Sequence, residues 1–342
     1  MKRIETKGSK VKKLVGLGLS IGLLFALTGC GKQPAAAAQA SAAQTSDVQT
    51  KESTEVKEEP AKAENKEPVK IGLASDAINL ARGITLLKDA GLIEVSEDAG
   101  FLPELTDITK YNYNIEIVPT QSNTLVATLD DFAASAVNGT FAIPAGLNPE
   151  RDGLIIEKQE PGSGNPFINV IVARTEDKDN ETYAKIVKAY QSQENAEYIL
   201  EKNKGASVPA FDYDPNYTVP DTFVSDVEGY QTTADGSTTV KIGVCGSGEG
   251  WRVVQKVLDE SGENILLDIV VFDAYNLPNE ALNSGEIDLN SFQHSAYLNS
   301  EIESQGYDLT PIGDTAKAPL TLYSKKVSSI EELKELAGEK VE

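Results

Sequence analysis

Few side chains in this sequence are equipped for chemistry, and four of them carry most of the information. Arg82 follows Asn79 by three residues, a spacing that places both on one face of a helical turn, opposite a stripe of Leu80, Ile84 and Leu87. A guanidinium there offers planar paired donors that match a carboxylate, and a helix N-terminus adds a potential favourable to an anion. The plain alternative is an arginine exposed on a helix surface. His294, the sole histidine, stands between Phe292 and Tyr297. With no cysteine or second histidine beside it, a metal site is rejected, and a lone histidine is more often packed or solvated. Asn138, in Val137-Asn138-Gly139, can accept from an ammonium through its side-chain oxygen, or serve as a turn residue.

Other constellations fail on inspection. No G-x-S-x-G elbow occurs, and the single histidine has no serine or cysteine partner at motif spacing, so no enzymatic activity is expected. In Cys245-Gly246-Ser247-Gly248-Glu249-Gly250-Trp251 the third glycine of a dinucleotide fingerprint falls on Trp251, and the lysine of a P-loop is missing. A tight strand-to-helix turn is the expected use. A formal net charge of -22 excludes nucleic acid as a partner. Two cysteines and one histidine build neither a structural zinc site nor a disulfide framework.

The elements that must hold these residues alternate. Periodicity predicts strands at 69–73, 115–118, 133–137, 167–173, 240–244, 267–272 and 287–289. Helices are expected at 79–90, 123–129, 181–191, 193–202, 249–260, 277–283 and 293–305, with Gly91 as a C-terminal cap. That alternation implies an α/β fold with largely parallel sheets. Residues 212–238, rich in Asp, Tyr, Pro, Thr, Gly and Ser, read as a linker or surface loop.

The N-terminal region has a different character. Lys2, Arg3, Lys7, Lys10, Lys12 and Lys13 precede an apolar run at 14–27, shorter than the roughly 20 residues a membrane-spanning helix needs. Residues 1–29 therefore read as an export signal. Leu27-Thr28-Gly29-Cys30 resembles the bacterial lipobox, which makes Cys30 the expected lipidation site and anchors the chain to the outer face of the cell membrane. Residues 30–67 lack an apolar periodicity and read as a disordered tether. Cys245 is left without a disulfide partner, buried and inert.

Several segments together resemble the methionine-binding lipoproteins of bacterial ABC importers, the NlpA/MetQ type. They are Ser291-Phe292-Gln293-His294-Ser295-Ala296-Tyr297-Leu298, Leu322-Tyr323-Ser324-Lys325-Lys326, Asn79-Leu80-Ala81-Arg82, Leu86-Leu87-Lys88-Asp89-Ala90-Gly91, and Val137-Asn138-Gly139 with Ala145-Gly146-Leu147-Asn148-Pro149. The resemblance implies a type 2 periplasmic-binding-protein fold of two α/β lobes around a ligand cleft. It implies that Arg82 and Asn79 contact the ligand, with Asn138 on its ammonium. Phe292, His294, Tyr297 and Tyr275 would line the side-chain pocket, where aromatic faces suit a thioether. It calls for no cofactor and no metal. The implied partners are a methionine-like amino acid, the permease and ATPase subunits of an importer, and the membrane through the lipid anchor. Sensing or adhesion with the same cleft, or a different amino acid or small peptide as ligand, are the alternatives. The departures bear on that ligand. The family's Pro-and-His segment is replaced by the glycine run at 245–250, a threonine by Ile78, and an asparagine by Thr140.

The family order is also exchanged. Segments that come first in the family lie at 239–342 and those that follow lie at 68–211, without duplication. The expectation is a circularly permuted domain with 212–238 joining the two parts, a flexible stretch that could span about 30 Å. A tandem of two incomplete domains is the alternative. Lobe one would take 168–211 and 239–317, lobe two 69–166 and 320–342, with hinge strands near 167–172 and 319–323.

Overall fold

The computed structural model describes residues 67–158 and 165–340. The expected signal (1–29), the lipidation residue Cys30 and the tether up to residue 66 lie outside the described residues. Among those described, no helix is long and apolar enough to cross a membrane.

The chain folds into two α/β lobes, each built on a five-stranded sheet. In one sheet the order is Ile115–Thr120, Val69–Ala74, Ala134–Val137, Thr321–Tyr323, Gly153–Ile156. The first three run parallel, and Thr321–Tyr323 is antiparallel to both its neighbours. The other sheet has the order Leu266–Phe272, Thr239–Cys245, Leu289–Asn290, Val170–Arg174, Leu309–Asp314. Its first three strands are parallel, with Val170–Arg174 antiparallel on both sides. Each sheet thus borrows an internal strand from the other part of the sequence. Neither can be completed by residues 68–211 or 239–342 alone.

Burial follows the apolar periodicity. Ala134–Val137 is covered on both faces, as a central strand with a continuous apolar run requires. The helix Ala77–Asp89 sets Ile84 and Leu87 against Ile71 and Leu73, and the same core takes Ile330 and Leu333 from the helix Ile330–Ala337. The second core gathers Ile171, Ile242, Val244, Val254 and Trp251. Gly91 leaves the first helix with φ +71°, a conformation that costs other residues energy.

Two segments cross between the sheets and run side by side. Asn169 N–H donates to the Ala316 carbonyl at 2.9 Å, Thr315 N–H donates back to Asn169 at 2.8 Å, and Glu157 N–H donates to Leu320 at 2.9 Å. At the far side of the first sheet, Val69 N–H donates to the Asn114 carbonyl at 3.0 Å, and Asn114 N–H donates to Gly338 at 2.9 Å. The beginning and end of the described chain therefore meet at one residue.

Three expectations need correcting. Residues 123–129 are not a regular helix: only Ser122–Thr124 forms a 3-10 turn, followed by further turns. The hydroxyls of Thr124 and Thr128 bond to backbone carbonyls there, competing with a helical ladder. Residues 212–238, expected as a linker or surface loop, are largely irregular but more ordered than a flexible stretch. They contain the helix Phe223–Glu228, whose Val227 is buried in the second core, and Tyr230 donates to Asp259 at 2.9 Å. Periodicity also missed the short pair Ile93–Val95 and Ile108–Tyr111 and the edge strand Leu309–Asp314.

Candidate ligand-binding site

Asp76 organises one wall. As N-cap of Ala77–Asp89, its carboxylate accepts from both the backbone N–H and the side-chain amide of Asn79, each at 2.9 Å. The helix N-terminus is therefore occupied by the protein's own acid, which corrects the expectation that it would favour a bound anion. With its NH2 held, Asn79 presents Oδ1 outward. That oxygen accepts from Arg82 Nη1 at 3.0 Å and Asn138 Nδ2 at 2.8 Å, and faces His294 Nε2 at 3.4 Å. Burial raises the Asp76 carboxyl above its ordinary range, against the hydrogen bonds it accepts.

Arg82 is 5% exposed and already engaged. Nε donates to Glu157 Oε1 at 2.8 Å and Nη2 to Oε2 at 2.6 Å, a bidentate pair. The ring of Phe167 lies 4.6 Å from its central carbon. Of the five guanidinium N–H groups, these contacts and the one to Asn79 take three, leaving one on each terminal nitrogen. Two donors are thus left for a further acceptor. Neither Glu157 nor Phe167 figured among the residues singled out by sequence. Glu157 lies 75 positions from its partner, just past a short strand, and no local pattern marks it.

His294 is the N-cap of the helix Ser295–Gln305: its Nδ1 accepts from Tyr297 N–H at 3.1 Å. An accepting Nδ1 puts the proton of a neutral ring on Nε2, facing Asn79. Burial, and next the nearby Arg82 charge, hold its pKa well below the ordinary value. Asn138 follows the strand Ala134–Val137 and starts the short turn of helix Gly139–Ala142. Its Nδ2 is used, but its Oδ1 is buried with no hydrogen-bond partner.

The aromatic side chains close the remaining wall. Tyr275 packs 5.8 Å from Phe292 and 6.0 Å from Tyr297, with Phe141 on its other side at 4.9 Å. Burial pushes both the Tyr275 and Tyr297 phenols up. Cys245 is buried beside Phe292 and Tyr297, and its thiol is pushed up to about 12, so it is no nucleophile at neutral pH. Gln293 also lines the site, its amide tied to Asn279 and Asn290.

All seven residues singled out for ligand contact, Asn79, Arg82, Asn138, Tyr275, Phe292, His294 and Tyr297, line one cavity, drawn in until its free space is about 20 Å3. That space is of the order of a single water, so an organic ligand would need the walls to move apart. Next to it a larger groove of about 330 Å3 runs between the lobes, walled by Thr140 and Ile143 on one side and Tyr198, Lys202 and Trp251 on the other. The glycine run makes the expected strand-to-helix turn, between Thr239–Cys245 and Trp251–Glu260. Gly246 there has φ +78°, and a Cβ on it would lie 2.3 Å from the Thr140 carbonyl oxygen, so the lobes touch through bare backbone.

Residues 60–211 and 240–341 match the NlpA lipoprotein family. Among curated proteins the chain is similar to the D-methionine-binding lipoprotein MetQ of Yersinia pestis, 38% identical over 126 residues, 36% of this chain and 45% of that protein. It is similar to the protein of the same name from Escherichia coli (strain K12), 35% identical over 140 residues, 40% of this chain and 50% of that one. Among solved structures it is similar to the methionine binding protein MetQ, at 34% identity over 42% of this chain and 57% of the other, with a TM-score of 0.39. The chain spans about half the length of the curated relatives it matches.

Proposed function

The chain belongs to the NlpA lipoprotein family, and on that premise we propose that it is a substrate-binding lipoprotein that holds methionine, or an amino acid like it, between its lobes. The observation that carries this reading is the pairing of an unpartnered buried acceptor, Asn138 Oδ1, with the remaining guanidinium donors of Arg82 in one cavity. A buried polar atom left unpaired costs roughly 1–3 kcal/mol. An ammonium would satisfy the first and a carboxylate the second. The aromatic wall of Tyr275, Phe292 and Tyr297 then receives the side chain, where thioether sulfur gains about 0.3–1.5 kcal/mol per ring contact.

Delivery to a permease and its ATPase, and anchorage through acylated Cys30, complete the proposal; the chain itself makes and breaks no bond. The exchanged order of the two parts is proposed to be a circular permutation within a single domain. The interleaved strands support it, as does the meeting of the Val69 strand with residues 338–340 at Asn112 and Asn114. Ligand-stripped protein titrated with the common amino acids and both enantiomers of methionine tests the ligand reading. A ligand at 100 times its dissociation constant adds about 2.7 kcal/mol of stability, so a selective rise in Tm with one enantiomer is expected. A cooperative unfolding that no amino acid shifts would discard it.

A further inference from the structure

We propose that Glu157 sets the net charge the cleft accepts, making an ammonium group obligatory on the ligand. This deepens the amino-acid reading and rests on it. Arg82 is buried and is matched on its inner edge by Glu157, whose side chain is only 13% exposed. The carboxylate is fixed from a second direction, because Leu320 N–H donates to Oε2 at 3.0 Å from the crossing segment between the lobes. A second buried acid, Asp76, stands one amide away through Asn79. His294 faces the same amide and is held neutral by its surroundings, so it adds no positive charge. Among the described residues of the site, one cation thus faces two carboxylates before any ligand arrives.

The consequence follows from charge burial. A ligand with a carboxylate and no ammonium brings further negative charge into a site whose arginine is already neutralised, and the cost of desolvating it is not recovered. A zwitterion adds none. Glu157 therefore does two things: it fixes the inner edge of the guanidinium, and it leaves the site with one negative charge in excess, so that a simple organic acid is repelled.

Calorimetric titration with methionine and with its 2-hydroxy analogue, which keeps the thioether and carboxylate and replaces the ammonium by a hydroxyl, tests the proposal in the wild type and in Glu157→Gln. The ratio of the two affinities should narrow by about tenfold or more in the variant, through tighter binding of the hydroxy acid. Glu157→Asp, which keeps the charge, should hold the wild-type ratio even if both ligands weaken. A residue of purely structural importance would weaken both ligands alike, and an unchanged ratio in Glu157→Gln overturns the proposal. One measurement needs no variant: methioninamide, a net cation, should bind the wild type more tightly than the hydroxy acid, and the reverse order also overturns it. If the wild type binds no amino acid at all, the underlying reading fails instead.

Discussion

Truncating Arg82 to alanine removes the partner of a carboxylate that stays largely buried, and breaking such a pair from one side typically costs 3–5 kcal/mol. Arg82→Ala is expected to lose that order of stability in urea denaturation, together with ligand binding. Arg82→Met combined with Glu157→Gln should regain most of the stability and none of the binding, which separates the two roles. His294 yields a pH prediction. Its folded pKa lies below its unfolded value of about 6.5, so below pH 6.5 the unfolded chain takes up a proton that the folded chain refuses. The stability present above pH 6.5 is then lost as the pH falls toward the folded value, by up to about 1.4 kcal/mol per unit. Asp76, with a raised pKa, works in the opposite sense and at lower pH, through the carboxylate range. His294→Asn keeps a side chain able to cap the helix and should flatten the loss between pH 7 and 5.5, measured from denaturation midpoints. At this scale the sequence identified the residues that line the cavity, because they sit in recognisable short segments. It did not identify what holds them. Glu157 and the crossing strand reach Arg82 only through tertiary structure, and the Asp76 cap, marked by an acid one residue before the helix, was readable but unread.

Among the elements, the segment 212–238 departs furthest from its sequence reading. Its polar composition hides a single apolar anchor: Val227 is 1% exposed, and the helix Phe223–Glu228 lies against Trp251–Glu260. Glu228 also receives Lys202 and Tyr198 from the neighbouring helix Gln193–Asn203. Val227→Ala should therefore cost about 2 kcal/mol, whereas a solvated tether would register nothing; thermal unfolding of the variant decides. Strands at 69–73 and 240–244 and helices at 181–191 and 193–202 were readable to within a residue or two, since their apolar spacing is undisturbed. The supposed helix at 123–129 was not, because Thr124 and Thr128 spend their hydroxyls on carbonyls. The edge strand Leu309–Asp314 escaped because Pro311 and Gly313 break its alternation, and the ladder shifts register between those two residues.

Across the whole molecule, the interleaving of the two sheets governs folding. Thr321–Tyr323 completes one sheet and Val170–Arg174 the other, each an internal strand supplied from the opposite part of the chain. The two lobes should then unfold in one transition, with far-ultraviolet circular dichroism and tryptophan fluorescence giving superimposable curves; separated midpoints would point to two independent units. The α/β class was readable from the alternation of periods, while the proposed exchange in the order of the parts rests on which motifs come first. Trp251 adds something to this picture. It is the single tryptophan of the chain, packed 5.1 Å from Tyr190 on the wall of the groove between the lobes, close to the backbone contact of Gly246 with Thr140. It is nearly sealed from water, packed in the core of its own lobe while lining the groove, so a rearrangement of the groove wall is expected to change its emission. The protein thus carries its own optical gauge: stopped-flow mixing with a ligand is expected to change tryptophan emission without a dye attached, and an unchanged emission would mean that the groove wall beside Trp251 does not move.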